Sequence, residues 1–442
     1  MKDVETIISP RWIIPVEPSA EVLEHHALVI DAGCIAAIMP VNDVRQHYHA
    51  RRWIERPAHV LIPGLINAHT HAAMTLLRGI ADDLPLMDWL THHIWPLEQK
   101  WVSETFVRDG TDLAIAEMLR GGTTTFNDMY FFPEITAQRA LQHGMRAVIG
   151  LIVIDFPSAY ADSAAAYIDQ AVTLYESLRD SPLLHFAFAP HAPYSVSDTP
   201  LQRIRALADE LDLPIHMHVH ETRAEVQQAS QQFGQRPLQR LADLGLISPG
   251  FIAVHMTQLT DEEIAFYAER GGHIVHCPES NMKLASGACP VARCLKAGIN
   301  VALGTDGVAS NNDLDLFGEM RTAALFGKYL AEDASALSAP TVLRMATLNG
   351  ARALGIAEVT GSLVPGKSAD VVAVDLSAVE TQPLYDPLSA LVYCASRQHV
   401  SDVWIAGKPL LSERRLTTFD ETALLQKAAL WQERLVGFAK RG

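Results

Sequence analysis

The alternation between residues 59 and 307 constrains this chain more than any other feature. Eight apolar, strand-like runs follow one another there. They are HVLIPGLINAH (59–69), TTTFNDM (123–129), RAVIGLIVID (146–155), LLHFAFAPH (183–191), LPIHMHVHE (213–221), FIAVHM (251–256), GHIVHCP (272–278) and NVALGTDG (300–307). Helix-like stretches separate them. SETFVRDGTDLAIAEMLRGG (103–122) opens on Ser103 as an N-cap and stops at paired glycines. DTPLQRIRALADELD (198–212) and TDEEIAFYAERGG (260–272) have the same character. Eight βα units in series match a TIM-like (β/α)8 barrel, whose usual size is about 250 residues. An open, doubly wound sheet is the rival. The count of eight and the polar residues at the strand ends favour the barrel.

The expected organisation is α/β, with the catalytic barrel over residues 59–359. The flanks, 1–58 and 360–442, read differently. HALVIDAGCIAAIMP, GSLVPGKSADVVAVD and VSDVWIAGKPLL are short β-type segments broken by turns. Neither flank makes a convincing domain alone, so the two ends are expected to combine into one small β-sandwich domain. Apolar residues make up 49% of the chain, enough for a sizeable core.

Function in such a barrel sits at the C-terminal ends of the strands. Strand one ends in His69-Thr70-His71, and side chains at i and i+2 of a strand share a face. Two imidazoles placed so can converge on one ion. Strand four ends at His191, strand five reads His216-Met217-His218-Val219-His220-Glu221, strand six ends near His255 and strand eight at Asp306. A surface-histidine reading fits HxH alone, but not five strands delivering such groups to one rim.

On strand five the three histidines share one face by period two, so not all can ligate. His218 is the expected ligand, with His216 and His220 as core or supporting histidines. His69, His71, His218 and Asp306 then supply three nitrogens and one oxygen, leaving a position open for water. Asp306 can also take a proton from that water, and His255 can hold the nucleophile in place. Glu221 can carry a proton to a substrate ring nitrogen and on to the leaving group. The plain alternatives are a surface carboxylate for Glu221, a buried structural histidine for His255 and a turn residue for Asp306. No lysine occurs between Lys100 and Lys283, so a lysine bridge between two metals cannot come from strands two to six. One divalent metal per subunit follows. Zinc suits the donor set best, and iron or manganese would also fit.

Composition narrows the partners. The net charge is −16, with no basic stripe, which argues against nucleic acid. The five cysteines are dispersed, with no CxxC, as in a reduced, cytoplasmic protein. No signal peptide or membrane-spanning run is read from the sequence.

Several stretches together resemble the amidohydrolase superfamily. They are PGLINAHTHAAMTLLRGIADDLPLMDWL (63–90), APHAPYSVS (189–197), HVHE (218–221), HCPESNMKLASG (276–287), GTDGVASNNDLDLFGEMRTAAL (304–325) and ATLNGARALG (346–355). Within that superfamily they are similar to the 5′-methylthioadenosine/S-adenosylhomocysteine deaminases. GSLVPGKSADVVAVD (361–375) extends the likeness into the small domain. The resemblance implies metal ligands at His69, His71, His218 and Asp306 and catalytic roles for Glu221 and His255. It also implies substrate contacts: Trp89 against the nucleoside, Glu98 accepting from ribose hydroxyls, and His191 at the purine or ribose. Without it, Trp89 reads as helix packing and Glu98 as a solvated charge. The implied reaction is hydrolytic deamination of an adenine nucleoside to the inosine analogue with release of ammonia, in a homo-oligomer. An aminohydrolase or chlorohydrolase of a free base such as guanine, a pterin or a triazine is the alternative. No arginine lies between Arg146 and Arg179, so the loop after strand three offers no clamp for a homocysteine carboxylate. Methylthioadenosine is the easier substrate to rationalise.

Overall fold

The computed structural model describes residues 1–439. Eight parallel strands form one sheet in chain order. They are β1 (Leu65–Thr70), β2 (Thr123–Met129), β3 (Arg146–Val153), β4 (Leu184–Pro190), β5 (Ile215–Val219), β6 (Phe251–His255), β7 (His273–His276) and β8 (Asn300–Leu303). They read as nearly continuous apolar runs because helices cover them outside and the barrel core fills them inside. The helix expected to open on Ser103 does so. Ser103 Oγ accepts the Phe106 N–H at the start of Glu104–Arg120. Thr260 and Glu263 form a reciprocal capping box ahead of Asp261–Arg270.

Side chains and two loop amides close the ring between β8 and β1. The Asn67 amide donates to Thr305 Oγ1 at 2.7 Å, and its Oδ1 accepts the Thr305 N–H at 3.0 Å. The Asp306 N–H then donates to the His69 carbonyl at 3.0 Å. Gly304 makes the approach possible, since a Cβ there would lie 2.9 Å from the backbone nitrogen of His69.

The run expected as a single strand over 59–69 is two. Residues 59–63 end a long strand, Tyr48–Pro63, that belongs to the second sheet, and β1 starts after Gly64. A Cβ at Gly64 would fall 1.9 Å from Thr124 Oγ1, so only glycine lets the chain cross between the two sheets here. Tyr48–Pro63 also joins the chain ends. It runs parallel to Lys2–Ile13 and pairs antiparallel with Val371–Asp375, with Val371 opposite Pro63 and Asp375 opposite His59. The result is a mixed, nine-stranded sheet built from both termini. Its period-two pattern serves two cores. Leu61, Val371 and Ala373 pack inside the sheet's own core, whereas Val60, Ile62, Val372 and Val374 pack with the barrel. A buried ion pair crosses the junction, with Arg146 Nε 2.9 Å from Asp370 Oδ2.

The last helix, Glu421–Ala439, lies within the C-terminal flank but packs on the barrel. Trp431 stacks edge-on against Phe106, and its Nε1–H donates to Asp109 at 3.0 Å. Among the described residues, no helix is long and apolar enough to cross a membrane.

Candidate active site

Four of the expected residues meet at the C-terminal mouth of the barrel. One ligand atom from each of His69, His71, His218 and Asp306 lies within 4.8 Å of the others. Asp306 Oδ1 is 3.2 Å from Nε2 of both His69 and His71, and His218 Nε2 is 3.2 Å from His69 Nε2. The chain arrives there in unusual backbone states. His220, His255, Met256 and Asp306 all have φ between 50° and 75°. Left-handed non-glycine residues are costly and collect at functional sites. Here they turn the chain sharply at three strand ends.

The outer ring nitrogens explain why the cluster suits a cation. His71 Nδ1 is 2.6 Å from the Met129 carbonyl, and His218 Nδ1 is 2.7 Å from the His191 carbonyl. A carbonyl only accepts, so each Nδ1 carries the proton and each neutral ring presents a bare Nε2 inward. His69 Nδ1 likewise has His216 Nε2 at 3.1 Å. Acceptors are thus crowded face to face with an aspartate, an arrangement that fits a bound divalent ion. Protons are the alternative relief. Burial pushes His69 down to about 4, while His71 overcomes its burial and is drawn up to about 9 by Asp306. Burial also opposes ionisation of Asp306, but its two histidine neighbours hold it well below the usual carboxylate range. Its second oxygen accepts from Ser280 Oγ at 2.7 Å and Ser310 Oγ at 2.9 Å.

Glu221 and His255 line the same cavity, with Oε2 and Nε2 3.9 Å apart. Asn281 Oδ1 takes His255 Nδ1 at 2.8 Å, which turns Nε2 inward. Burial raises the pKa of Glu221. Its backbone is gripped from both sides. The Glu225 carboxyl accepts the N–H groups of His220 and Glu221 at 3.0 and 2.7 Å, and Thr257 Oγ1 donates to the Glu221 carbonyl at 2.7 Å. His220 leaves the common face expected from period two. Its left-handed backbone breaks the alternation, and its Nε2 accepts the Leu238 N–H instead.

The cavity above this floor has a volume of about 740 Å³. His191, Trp89 and Glu98 all line it. The last two come from the long excursion between β1 and helix Glu104–Arg120. In a regular helix, positions nine apart face opposite ways, since nine steps of about 100° leave about 180°. The excursion avoids this with a π-turn over Leu90–Ile94, where the Trp95 N–H reaches back to the Leu90 carbonyl. Pro96 follows and has no N–H with which to continue the regular pattern. The inserted residue brings Trp89 and Glu98 to about 80° of each other. Tyr130 Oη donates to Glu98 Oε1 at 2.8 Å. Burial raises Glu98 to about 7, with the Tyr130 hydroxyl and His71 opposing.

Sequence reasoning missed the supporting groups. Tyr130, directly after β2, gave no signal beyond its place at a strand end. Ser280 and Asn281 lie in HCPESNMK but have no ligand-like spacing to mark them. Asp128 is the one carboxylate in the fully buried strand β2. It accepts the Ala72 N–H at 2.7 Å and the Thr70 hydroxyl at 3.1 Å, and so shapes the turn that carries His71.

A closed parallel barrel with three histidines and an aspartate at its mouth defines the class of barrel hydrolases built around a metal centre. The amidohydrolase family model matches residues 60–410, and the chain belongs to that family, as a hydrolase acting on C–N bonds. It is similar to the 5-methylthioadenosine/S-adenosylhomocysteine deaminase of Teredinibacter turnerae, at 49% identity over 98% of each chain. Its structure is similar to the crystal structure of an adenosine deaminase from Xanthomonas campestris with bound zinc. That match has a TM-score of 0.98 and 54% identity over 99% of each chain. An atrazine chlorohydrolase from Arthrobacter aurescens shares the fold alone, with 24% identity and a TM-score of 0.89 over 96% of this chain and 99% of that one.

Proposed function

We propose that this chain is a zinc-dependent hydrolytic deaminase of adenine nucleosides. It would convert 5′-methylthioadenosine, S-adenosylhomocysteine or adenosine to the inosine analogue and ammonia. The observation that carries this reading is one cavity with two unlike ends. The acceptor-crowded cluster forms its floor, and the Glu98–Tyr130 pair stands on its wall. The first suits hydrolysis at a ring carbon and the second suits the paired hydroxyls of a ribose. The relatives reported above bear names of the same activity.

His69, His71, His218 and Asp306 would hold one divalent ion, and the three-nitrogen, one-oxygen set suits zinc. Bound there, the ion would act as a Lewis acid and lower the pKa of its water toward ~7. Asp306 accepts a proton from the attacking water. His255, aimed by Asn281, holds that water on the face of adenine C6. Glu221 protonates N1, a task favoured by its raised pKa. Its carboxylate then takes the proton of the new C6 hydroxyl and passes it to the departing amine as the C6–N bond breaks, and the proton held by Asp306 restores Glu221. Glu225 and Thr257 keep Glu221 in register by fixing its peptide. Trp89 packs against the nucleoside, Glu98 accepts from the ribose hydroxyls, and His191 contacts the purine or ribose.

The test is ammonia release by purified protein of measured metal content. Its panel is methylthioadenosine, S-adenosylhomocysteine, adenosine, adenine and guanine. One zinc per chain and turnover of the nucleosides, lost on chelation and restored by zinc, are expected. Turnover of free bases alone would overturn the nucleoside pocket, and activity that survives complete metal removal would overturn the metal centre.

A further inference from the structure

The nucleoside reading leaves the outer part of the cavity unassigned, and the structure there speaks to the 5′ substituent of the substrate. The floor and the Glu98–Tyr130 pair account for purine and ribose. Toward the mouth, the excursion contributes Trp95, and the loop after β3 contributes Phe156 and Pro157. Two of these are bare where a soluble chain would bury them: Phe156 is 54% exposed and Trp95 39%. Large apolar side chains left uncovered at the rim of a concave site mark a surface that a ligand covers.

Charge points the same way. Among the described residues, none lining the cavity is a lysine or arginine. Its carboxylates are Glu98, Glu221 and Asp306, and its histidines are the floor residues His71, His191, His218 and His255. A homocysteine tail ends in an ammonium and a carboxylate. Its carboxylate would leave water for an apolar mouth with no cationic partner, inside a chain of net charge −16. A thioether carrying only hydrocarbon meets no such penalty and covers the exposed rings.

Resting on the nucleoside-deaminase reading, we infer that the site is built for adenine nucleosides with a neutral, apolar 5′ group. Thioethers bulkier than methylthio are included, and charged tails are discriminated against. A cavity of about 740 Å³ leaves room beyond methylthioadenosine for such a group.

The experiment compares kcat/KM of the zinc-loaded enzyme for methylthioadenosine, 5′-butylthioadenosine, S-adenosylhomocysteine and adenosine. Butylthioadenosine should fall within about tenfold of methylthioadenosine, and S-adenosylhomocysteine about a hundredfold or more below it. Phe156→Arg, a change at an exposed position, should raise the homocysteine substrate relative to methylthioadenosine by about tenfold. S-adenosylhomocysteine turned over as well as methylthioadenosine overturns the inference. Butylthioadenosine falling together with S-adenosylhomocysteine also overturns it, since size rather than charge would then decide. If no nucleoside is deaminated while a free base is, the underlying reading fails, and the inference fails with it.

Discussion

Glu98→Gln puts the proposed ribose contact to a quantitative test. The substitution keeps the size of the side chain and one oxygen for the Tyr130 hydroxyl, which lies 2.8 Å from Oε1 in the native protein. It replaces the other oxygen by an NH₂ group, which cannot accept from a ribose hydroxyl. A hydrogen bond to a charged group contributes about 1.5–3 kcal/mol. At 1.36 kcal/mol per decade, kcat/KM for a ribonucleoside should fall about 10- to 150-fold. The same variant acting on a 2′,3′-dideoxy analogue should lose little, because the hydroxyls are already gone. The assay is therefore a cycle of two enzymes and two substrates, read by ammonia release. Equal losses on both substrates would refute the ribose contact. Acidity supplies a second reading. Burial raises Glu98 from 4.5 to about 7, so the folded protein holds this proton more tightly than the unfolded chain. Its stabilising contribution is fully present below pH 4.5 and is lost as pH rises through about 7. Glu98→Gln should therefore raise Tm relative to wild type more at pH 8 than at pH 5. The opposite ordering would contradict the raised pKa.

Two further outcomes follow from the geometry. Glu221→Gln should retain metal yet lower kcat by about 10²- to 10⁴-fold, the usual span for a lost general acid-base group; metal analysis beside steady-state kinetics checks it, and unchanged turnover removes the proton-transfer role. Arg146→Met strands buried Asp370 at the junction of the two sheets and should cost about 3–5 kcal/mol, because an uncompensated buried charge remains. Thermal unfolding should show a drop of several degrees with kcat at 25 °C little altered, and a Tm within about 1 °C of wild type would count against the junction role.

The metal cluster was legible because each ligand sits at a strand end, where period-two geometry and barrel topology fix its direction. His69, His71 and Asp306 could be chosen for that reason, whereas on strand five period two left His216, His218 and His220 on one face and depth in the barrel favoured His218. The structure brings His69, His71, His218 and Asp306 together. The supporting shell was not legible. Ser280 and Asn281 act through short hydrogen bonds from a six-residue helix, Pro278–Lys283, and Ser310 from a turn, and neither element is long enough to carry a period to read. The split of 59–69 was missed because apolar residues that end one sheet and begin another look alike in sequence. Only the close approach of Gly64 to Thr124 separates them.

Local patterning by itself thus determined the barrel, its eight strands and the residues facing its mouth, since hydrophobic period and strand-end chemistry are short-range properties of the chain. Three features were decided only by the tertiary structure. Trp89 and Glu98 share a wall because a π-turn inserts one residue between them. His220 leaves the cluster because its backbone turns left-handed. The C-terminal helix packs on the barrel because Trp431 finds Phe106 and Asp109 there. In each case the outcome hangs on contacts between segments far apart in the chain, or on one backbone state that those contacts hold. No local pattern encodes either.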